Sequence, residues 1–256
     1  MPSSMNIEQG STEWHLWRLK GIGASESACL LGADPYGMTP YKLWLVKTGK
    51  AKPRDGNESI FLRGHEVEDA VRAGYEFDTG LTFAPACFEH PEYPFIRASL
   101  DGWNDETKRG IEIKMVGAEA INDPIARHHM IQVQHQMLVT ATNEWTFIRD
   151  CRGNTQVQTI YADLDMQRHI GMLCCNFWEC VTTVVAPAFT DEDWVPDENP
   201  DLAGAVQAWQ EATTTKDRKY LREDILNLVA RKRTLCRGVK ISRNPDRLTE
   251  VKDVEL

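Results

Sequence analysis

Between Leu81 and Val116 the hydrophobic period changes from that of a helix to that of strands, and this change limits the fold more than any other feature. Upstream, Val67, Val71 and Tyr75 keep helical spacing in a segment predicted to run from about Ile60 to Phe77, before Gly80 stops it. Downstream, Leu81 to Glu89, Pro94 to Asp101 and Gly110 to Val116 read as three strands, the last two joined by the polar turn NDETKRG. Pro124 then opens a predicted helix through roughly Ala141, followed by strands at Trp145–Asp150 and Gln156–Tyr161. A long helix from about Asp163 to Thr182 presents Met166, Ile170, Leu173 and Phe177 on one face. Two shorter helices precede all of these. One covers residues 25–33 with Ser25 as its N-cap, and the other covers TPYKLWLVKTG with Thr39 capping and Pro40 at its first position. The order predicts an α/β domain, a central mixed sheet flanked by helices, over residues 1–186.

Residues 187–256 look appended. Pro187, Pro196 and Pro200, with the acidic run from Asp191 to Asp201, mark a connector. Leu221, Ile225, Leu228 and Val229 then define an amphipathic helix in a C-terminal helical extension. Its other face carries Arg218, Lys219 and Arg222, with Arg231 and Lys232 beyond, and reads as a solvated surface or as a docking arm. Eleven Lys or Arg residues fall between Lys216 and Arg247, so the net charge of −9 conceals an uneven distribution and excludes no anionic partner. Seven cysteines in irregular spacing fit a reducing compartment. The N-terminus lacks the order of a signal peptide and no apolar run approaches the roughly 20 residues of a membrane span, so a cytoplasmic protein without a membrane partner is expected.

The chemistry concentrates in FIRASLDGWNDETKRGIEIKMV. Side chains alternate on a strand, so Glu112 and Lys114 share one face while Ile111, Ile113 and Met115 share the other. Asp101, read as the end of the preceding strand, lies beside Glu112. Asp101, Glu112 and the backbone carbonyl of Ile113 offer the oxygen ligands that a hard divalent cation takes, and Lys114 can orient a water or stabilise developing negative charge. Taken alone, these residues are equally a solvated hairpin face with a surface ion pair.

Five ordered segments, two of them within that stretch, give the pattern its meaning. WHLWRLKGIGAS at 14–25, RGHEVEDA at 63–70, ASLDG at 98–102, IEIK at 111–114 and IQVQHQMLVT at 131–140 followed by Trp145 occur in one order. Together they resemble the YqaJ-like and phage lambda exonuclease family of PD-(D/E)xK nucleases over roughly residues 14–182. The resemblance implies a restriction-endonuclease-like core and a magnesium-dependent 5′-to-3′ exonuclease on double-stranded DNA, with manganese able to substitute and two ions per site. It implies that Asp101 and Glu112 are metal ligands, that Lys114 is the catalytic lysine, and that Glu68 and Gln132 complete the catalytic set, Glu68 as a further candidate ligand. Glu66 is a rival to Glu68; the two lie about 200° apart on a helix, and Glu68 shares the face of Val71 and Tyr75. Arg18, Ser25 and Ser99 match the positions that hold the 5′-phosphate of the DNA end. Ser25, if it begins a helix, would add free N–H groups suited to an anion.

The resemblance further implies DNA ends as the partner, homo-oligomers including trimeric rings, and a single-strand annealing protein acting beside the nuclease in phage-type recombination. Leu100 stands where the family usually has proline, and Glu89 and Glu92 are the nearby candidates for a further acidic residue found in some relatives. An iron–sulfur cluster on Cys174, Cys175 and Cys180 is not expected, because Cys174 belongs to the apolar face of a helix. Two other readings use the same core: an endonuclease, and a DNA-end-binding module without catalysis.

Overall fold

The computed structural model describes residues 4–53, 58–243 and 246–250, and for 58–66 the backbone alone. They fall into two compact units, one holding the chain to Met38 and Leu43–Ala186, the other Thr39–Lys42 and the chain from Pro187.

The first unit contains β1 (Ser4–Met5), α1 (Thr12–Leu19), β2 (Ile22–Gly23), a 3-10 turn (Ala24–Glu26) running into α2 (Ser27–Leu30), and α3 (Pro40–Lys47) from Leu43 on. There follow α4 (Glu58–Thr79), β3 (Ala84–Glu89), β4 (Ile96–Asn104), β5 (Arg109–Met115), α5 (Arg127–Thr140), β6 (Glu144–Cys151), β7 (Asn154–Tyr161) and α6 (Leu164–Thr183). The sheet runs β1-β3-β4-β5-β6-β7, with β2 also paired to β4. It is mixed, as the sequence predicts: β5 with β6 and β2 with β4 are parallel, the other pairs antiparallel. The parallel β5–β6 pair requires a crossover, and α5 supplies it.

Strand alternation divides the chemistry from the core. Ile111 and Ile113, with Phe83 and Ile148, pack against Val71 and Tyr75 of α4 and against Leu81. Burying each of these isoleucines contributes roughly 1.5–3 kcal/mol. The register sets Gly110 opposite Trp145, and a Cβ at Gly110 would overlap the indole, so the closeness of β5 and β6 depends on that glycine. On the other face α5 is tied in by its polar residues. Gln134 donates to the Tyr161 carbonyl at 2.8 Å and accepts from Asp163 N at 2.9 Å and Gln167 Nε2 at 3.1 Å. His135 is fully buried, its Nε2 3.0 Å from the Arg97 carbonyl.

The second unit differs from the predicted helical extension. After β8 (Val195–Pro196) come α7 (Pro200–Glu211), α8 (Thr215–Leu228), β9 (Arg233–Cys236), β10 (Val239–Arg243) and β11 (Asp246–Glu250), with sheet order β11-β10-β9-β8. Leu202, Val206, Ile225, Leu226, Val229, Cys236, Val239 and Ile241 form its core. The strands escape a sequence reading because none buries more than three residues and those are set among charges. Most of the acidic segment is structured as well. Asn199 caps α7, and buried Asp193 accepts from Thr39 and, at 2.7 and 2.8 Å, from Thr190. Lys232 pairs with Asp191 and Arg233 with Glu192, so part of the basic stretch is neutralised within the unit. Among the described residues no helix is long and apolar enough to cross a membrane.

Burial lowers the pKa of His135 from 6.5 to about 4. With Nε2–H donating to Arg97, protonation would place a second N–H at Nδ1, which is buried without a partner. A depressed folded-state pKa contributes stability that is present above the unfolded value and lost as pH falls toward the folded one. This residue is therefore expected to remove about 3 kcal/mol of unfolding free energy between about pH 7 and pH 4. Urea titrations across that window should show His135→Gln less acid-sensitive than the parent; an identical slope would contradict the assignment.

Candidate active site

Asp101 sits inside β4, and not at its end as the sequence suggests. The ladder pairs Gly102 with Ile111, Trp103 with Gly110 and Asn104 with Arg109, then stops as β4 and β5 diverge. The Ile113 N–H, left without a strand partner on that side, donates to Asp101 Oδ2 at 2.7 Å. A side chain thus substitutes for the missing ladder bond, and this fixes the carboxyl beside β5.

Glu112 is 0% exposed, and its carboxylate is held on both oxygens. Gln132 Nε2 donates to Oε1 at 2.6 Å and Gln136 Nε2 to Oε2 at 2.5 Å, while Lys114 forms an ion pair with Oε1. Gln132 and Gln136 are one turn apart on α5 and so face the strand together. The motif points to Gln132, and Gln136, one turn on, extends its polar stripe; the i, i+4 spacing is the signal that joins them.

The electrostatics follow from two carboxyls buried side by side. Burial, then the Glu112 carboxylate, push the Asp101 carboxyl well above its usual range, with Glu68 acting in the same direction; Lys114 and the Ile113 N–H oppose the shift only in part. Burial disfavours the Lys114 ammonium, but Glu112 and Asp101 outweigh it and raise its pKa. Glu68 lies half-buried on α4, near enough to act on both groups. Glu66 falls outside the described side chains. One turn past Glu68, Arg72 donates to the Asp101 carbonyl at 2.9 Å, a contact that no motif marks. His129 is lowered to about 3 by burial and then by Lys114 and His128, which makes it a neutral neighbour of the site.

Arg18, Ser25 and Ser99 are brought together. They line one small pocket, and Gln132 lines it too. Arg18 Nη2 donates to Ser25 Oγ at 3.2 Å and Trp14 Nε1 to Ser99 Oγ at 2.8 Å. Ser25 is not a helix N-cap, however. It lies within the 3-10 turn, which follows Gly23, and α2 is only four residues long. What the pocket offers a ligand is therefore the guanidinium and the hydroxyls and not a helix terminus. Glu89 is not drawn to Asp101. It accepts from Trp17 Nε1 at 2.7 Å and pairs with Arg97 at 2.9 Å, while Glu92 is exposed in the β3–β4 turn. A larger cavity of about 530 Å³, bordered by Tyr93, Leu138, Leu164 and Met172, shares no residue with this site.

The donor set fits a hard divalent cation. The Asp101 carboxyl, whose ionisation is opposed by burial and by the Glu112 carboxylate, is relieved by a positive charge between the two. Among the described residues no three His, Cys, Asp or Glu side chains gather as a metal site, so a cation held by Asp101 and Glu112 would complete its shell from the Ile113 carbonyl and water.

The YqaJ-like viral recombinase domain matches residues 13–143, just over half of the chain and the span that contains the residues above. The chain belongs to this family. The YqaJ-like match agrees with similarity to the uncharacterized protein YqaJ of Bacillus subtilis (strain 168), 33% identical over 138 residues, 52% of this chain and 43% of that one. The chain thus spans less than half the length of that relative. Among solved structures, the alkaline exonuclease LHK-Exo from Laribacter hongkongensis is similar with a TM-score of 0.57 at 22% identity, over 68% of this chain and 94% of that one. A phage-related exonuclease from Haemophilus somnus 129PT gives a TM-score of 0.52 at 13% identity, over 64% and 95%. These likenesses show that the YqaJ-like chain has the phage-type exonuclease fold.

The strained carboxyl pair has a measurable consequence. Because the folded-state pKa of Asp101 is raised, the stability it contributes is present at low pH and lost as pH rises through the folded value. Asp101→Asn removes that loss. In chelator at about pH 8 its melting temperature should exceed the parent's, with the gap closing toward about pH 4. A lower melting temperature at about pH 8 would count against the carboxyl repulsion.

Proposed function

We propose that this protein is a divalent-metal-dependent exonuclease that hydrolyses double-stranded DNA from 5′ ends. The observation that carries the reading is the position of Gln132, which bonds Glu112 and also lines the pocket of Arg18, Ser25 and Ser99. A terminal phosphate in that pocket would set the first phosphodiester against the carboxylates.

Magnesium, with manganese able to substitute, would be held by Asp101, Glu112 and the Ile113 carbonyl, with Glu68 the candidate for a second ion. When bound, the ions supply Lewis-acid polarisation of the phosphoryl group and a more acidic water. The protein's own residues do the remaining work. Gln132 and Gln136 hold Glu112 in one orientation. Lys114, protonated beside Glu112, orients the attacking water and stabilises the charge that develops on phosphorus oxygens. Arg18, Ser25 and Ser99 grip the terminal phosphate, which selects an end over the middle of a strand.

Membership of the viral recombinase family supports the wider reading. The enzyme would act in the cytoplasm, expose single strands for phage-type recombination, assemble as a homo-oligomer such as a trimeric ring around DNA, and work beside a single-strand annealing protein. The domain of residues 1–186 would carry the activity.

The test uses a linear duplex with 5′-phosphates beside a closed circular plasmid, in magnesium. The linear DNA should be lost, the circle spared, and chelator should stop the reaction. Lys114→Ala should lower the rate by roughly 10²–10³-fold. Cutting of the circle would assign the core to an endonuclease. Binding of ends without cleavage in magnesium or manganese would leave only a binding module.

A further inference from the structure

Arg18 is held at its backbone by a buried ammonium and at its guanidinium by the carboxylate that the ammonium grips. Lys47, in the last turn of α3, has a side chain only 1% exposed. Its Nζ donates to the Arg18 carbonyl at 2.9 Å and to Glu26 Oε1 and Oε2 at 2.9 and 2.8 Å. Those three bonds satisfy all three ammonium donors. Glu26 in turn accepts from Gly23 N at 2.7 Å and lies 3.6 Å from Arg18 Nη2. The circuit closes on itself: Lys47 grips the backbone of Arg18 directly and its guanidinium through Glu26. Gly23 leaves the room for this, because a Cβ there would lie 3.3 Å from Arg18 Nη2 and 3.4 Å from Glu26 Oε2.

The same end of α1 is braced from a second side. Arg97 donates to the Trp17 carbonyl and, at 2.8 Å, to the Pro94 carbonyl, and pairs with Glu89, which also accepts from Trp17 Nε1. Arg97 is thereby spent on structure, although it borders the pocket. Arg18, with a side chain 29% exposed, is the guanidinium offered to a ligand. An arginine on a short helix has several rotamers to lose on binding, and a fixed fork has already lost them.

We infer that Glu26 and Lys47 are positioning residues for recognition of a terminal phosphate, acting through Arg18 with which they form a closed ring. The inference rests on the reading of the Arg18, Ser25 and Ser99 pocket as a phosphate site. Neither residue touches the phosphate. Glu26 sets the direction of the guanidinium, and Lys47 keeps Glu26 charged and in place although the site is largely dry. The specificity for a phosphorylated end then depends on a carboxylate, a group that would by itself repel the ligand.

The test is binding in chelator, which separates it from catalysis. Labelled duplexes with a 5′-phosphate or a 5′-hydroxyl are titrated with the full chain, and the ratio of the two dissociation constants is the readout. The parent should prefer the phosphate, Arg18→Ala should abolish the preference, and Glu26→Gln should reduce it by about tenfold. Ile170→Ala, which truncates a buried core residue of α6, should lower the melting temperature and leave the ratio unchanged. If Glu26→Gln fails to fold around the unpaired lysine, the double variant Glu26→Gln, Lys47→Met removes both charges, and it too should lose the preference. A preference abolished by Arg18→Ala but intact in the Glu26 variants would overturn the positioning role and leave the phosphate pocket standing. A preference that survives Arg18→Ala, or is missing from the parent, would overturn the pocket and this inference together.

Discussion

The fully buried carboxylate of Glu112 is the interaction on which the rest of the domain turns. A carboxylate at that depth persists only if its oxygens are bonded and its charge is met. Gln132 and Gln136 meet the first demand and Lys114 the second. Each requirement reaches into the fold. The two glutamines fix which face of α5 turns to the sheet, and α5 must lie there to complete the parallel β5–β6 crossover. Lys114 must share the strand face of Glu112, which sends Ile111 and Ile113 into the core under α4. Removing one partner of a buried pair typically costs about 3–5 kcal/mol, so these constraints are stiff.

That stiffness is unevenly distributed, and the unevenness marks function. β4 and β5 diverge where an uninterrupted ladder would be more stable, and Asp101 fills the gap with a side chain. Asp101 then pays in electrostatics for its place beside Glu112. Around the pocket of Arg18, Ser25 and Ser99 the opposite holds: Arg97–Glu89 and Lys47–Glu26 are well-satisfied pairs. One region holds a carboxyl at an electrostatic cost, the other holds its charges in satisfied pairs. Gln132 belongs to both.

Much of this was legible in the sequence because it depends on local spacing. Glu112 and Lys114 two apart on a strand, Gln132 and Gln136 four apart on a helix, and the helix–strand–helix order all follow from periodicity. What escaped depends on long-range pairing. Arg72 reaches the Asp101 carbonyl across 29 residues and His135 the Arg97 carbonyl across 38, and neither leaves a local pattern. Ser25 looked like a helix cap because Ser before an apolar run usually is one, but Gly23 and Glu26 set the turn first. The strands of the second unit stayed hidden because a narrow sheet buries few residues per strand, too few for alternation to stand out from charged neighbours.

We propose that Asp101 and Glu112 hold the catalytic cation. Crystals grown without metal and soaked in manganese would locate it by anomalous scattering. A peak is expected between the Asp101 and Glu112 carboxylates, beside the Ile113 carbonyl, with Lys114 displaced from Glu112 Oε1. A manganese site elsewhere in the domain, with the Glu112–Lys114 pair still closed, would contradict it.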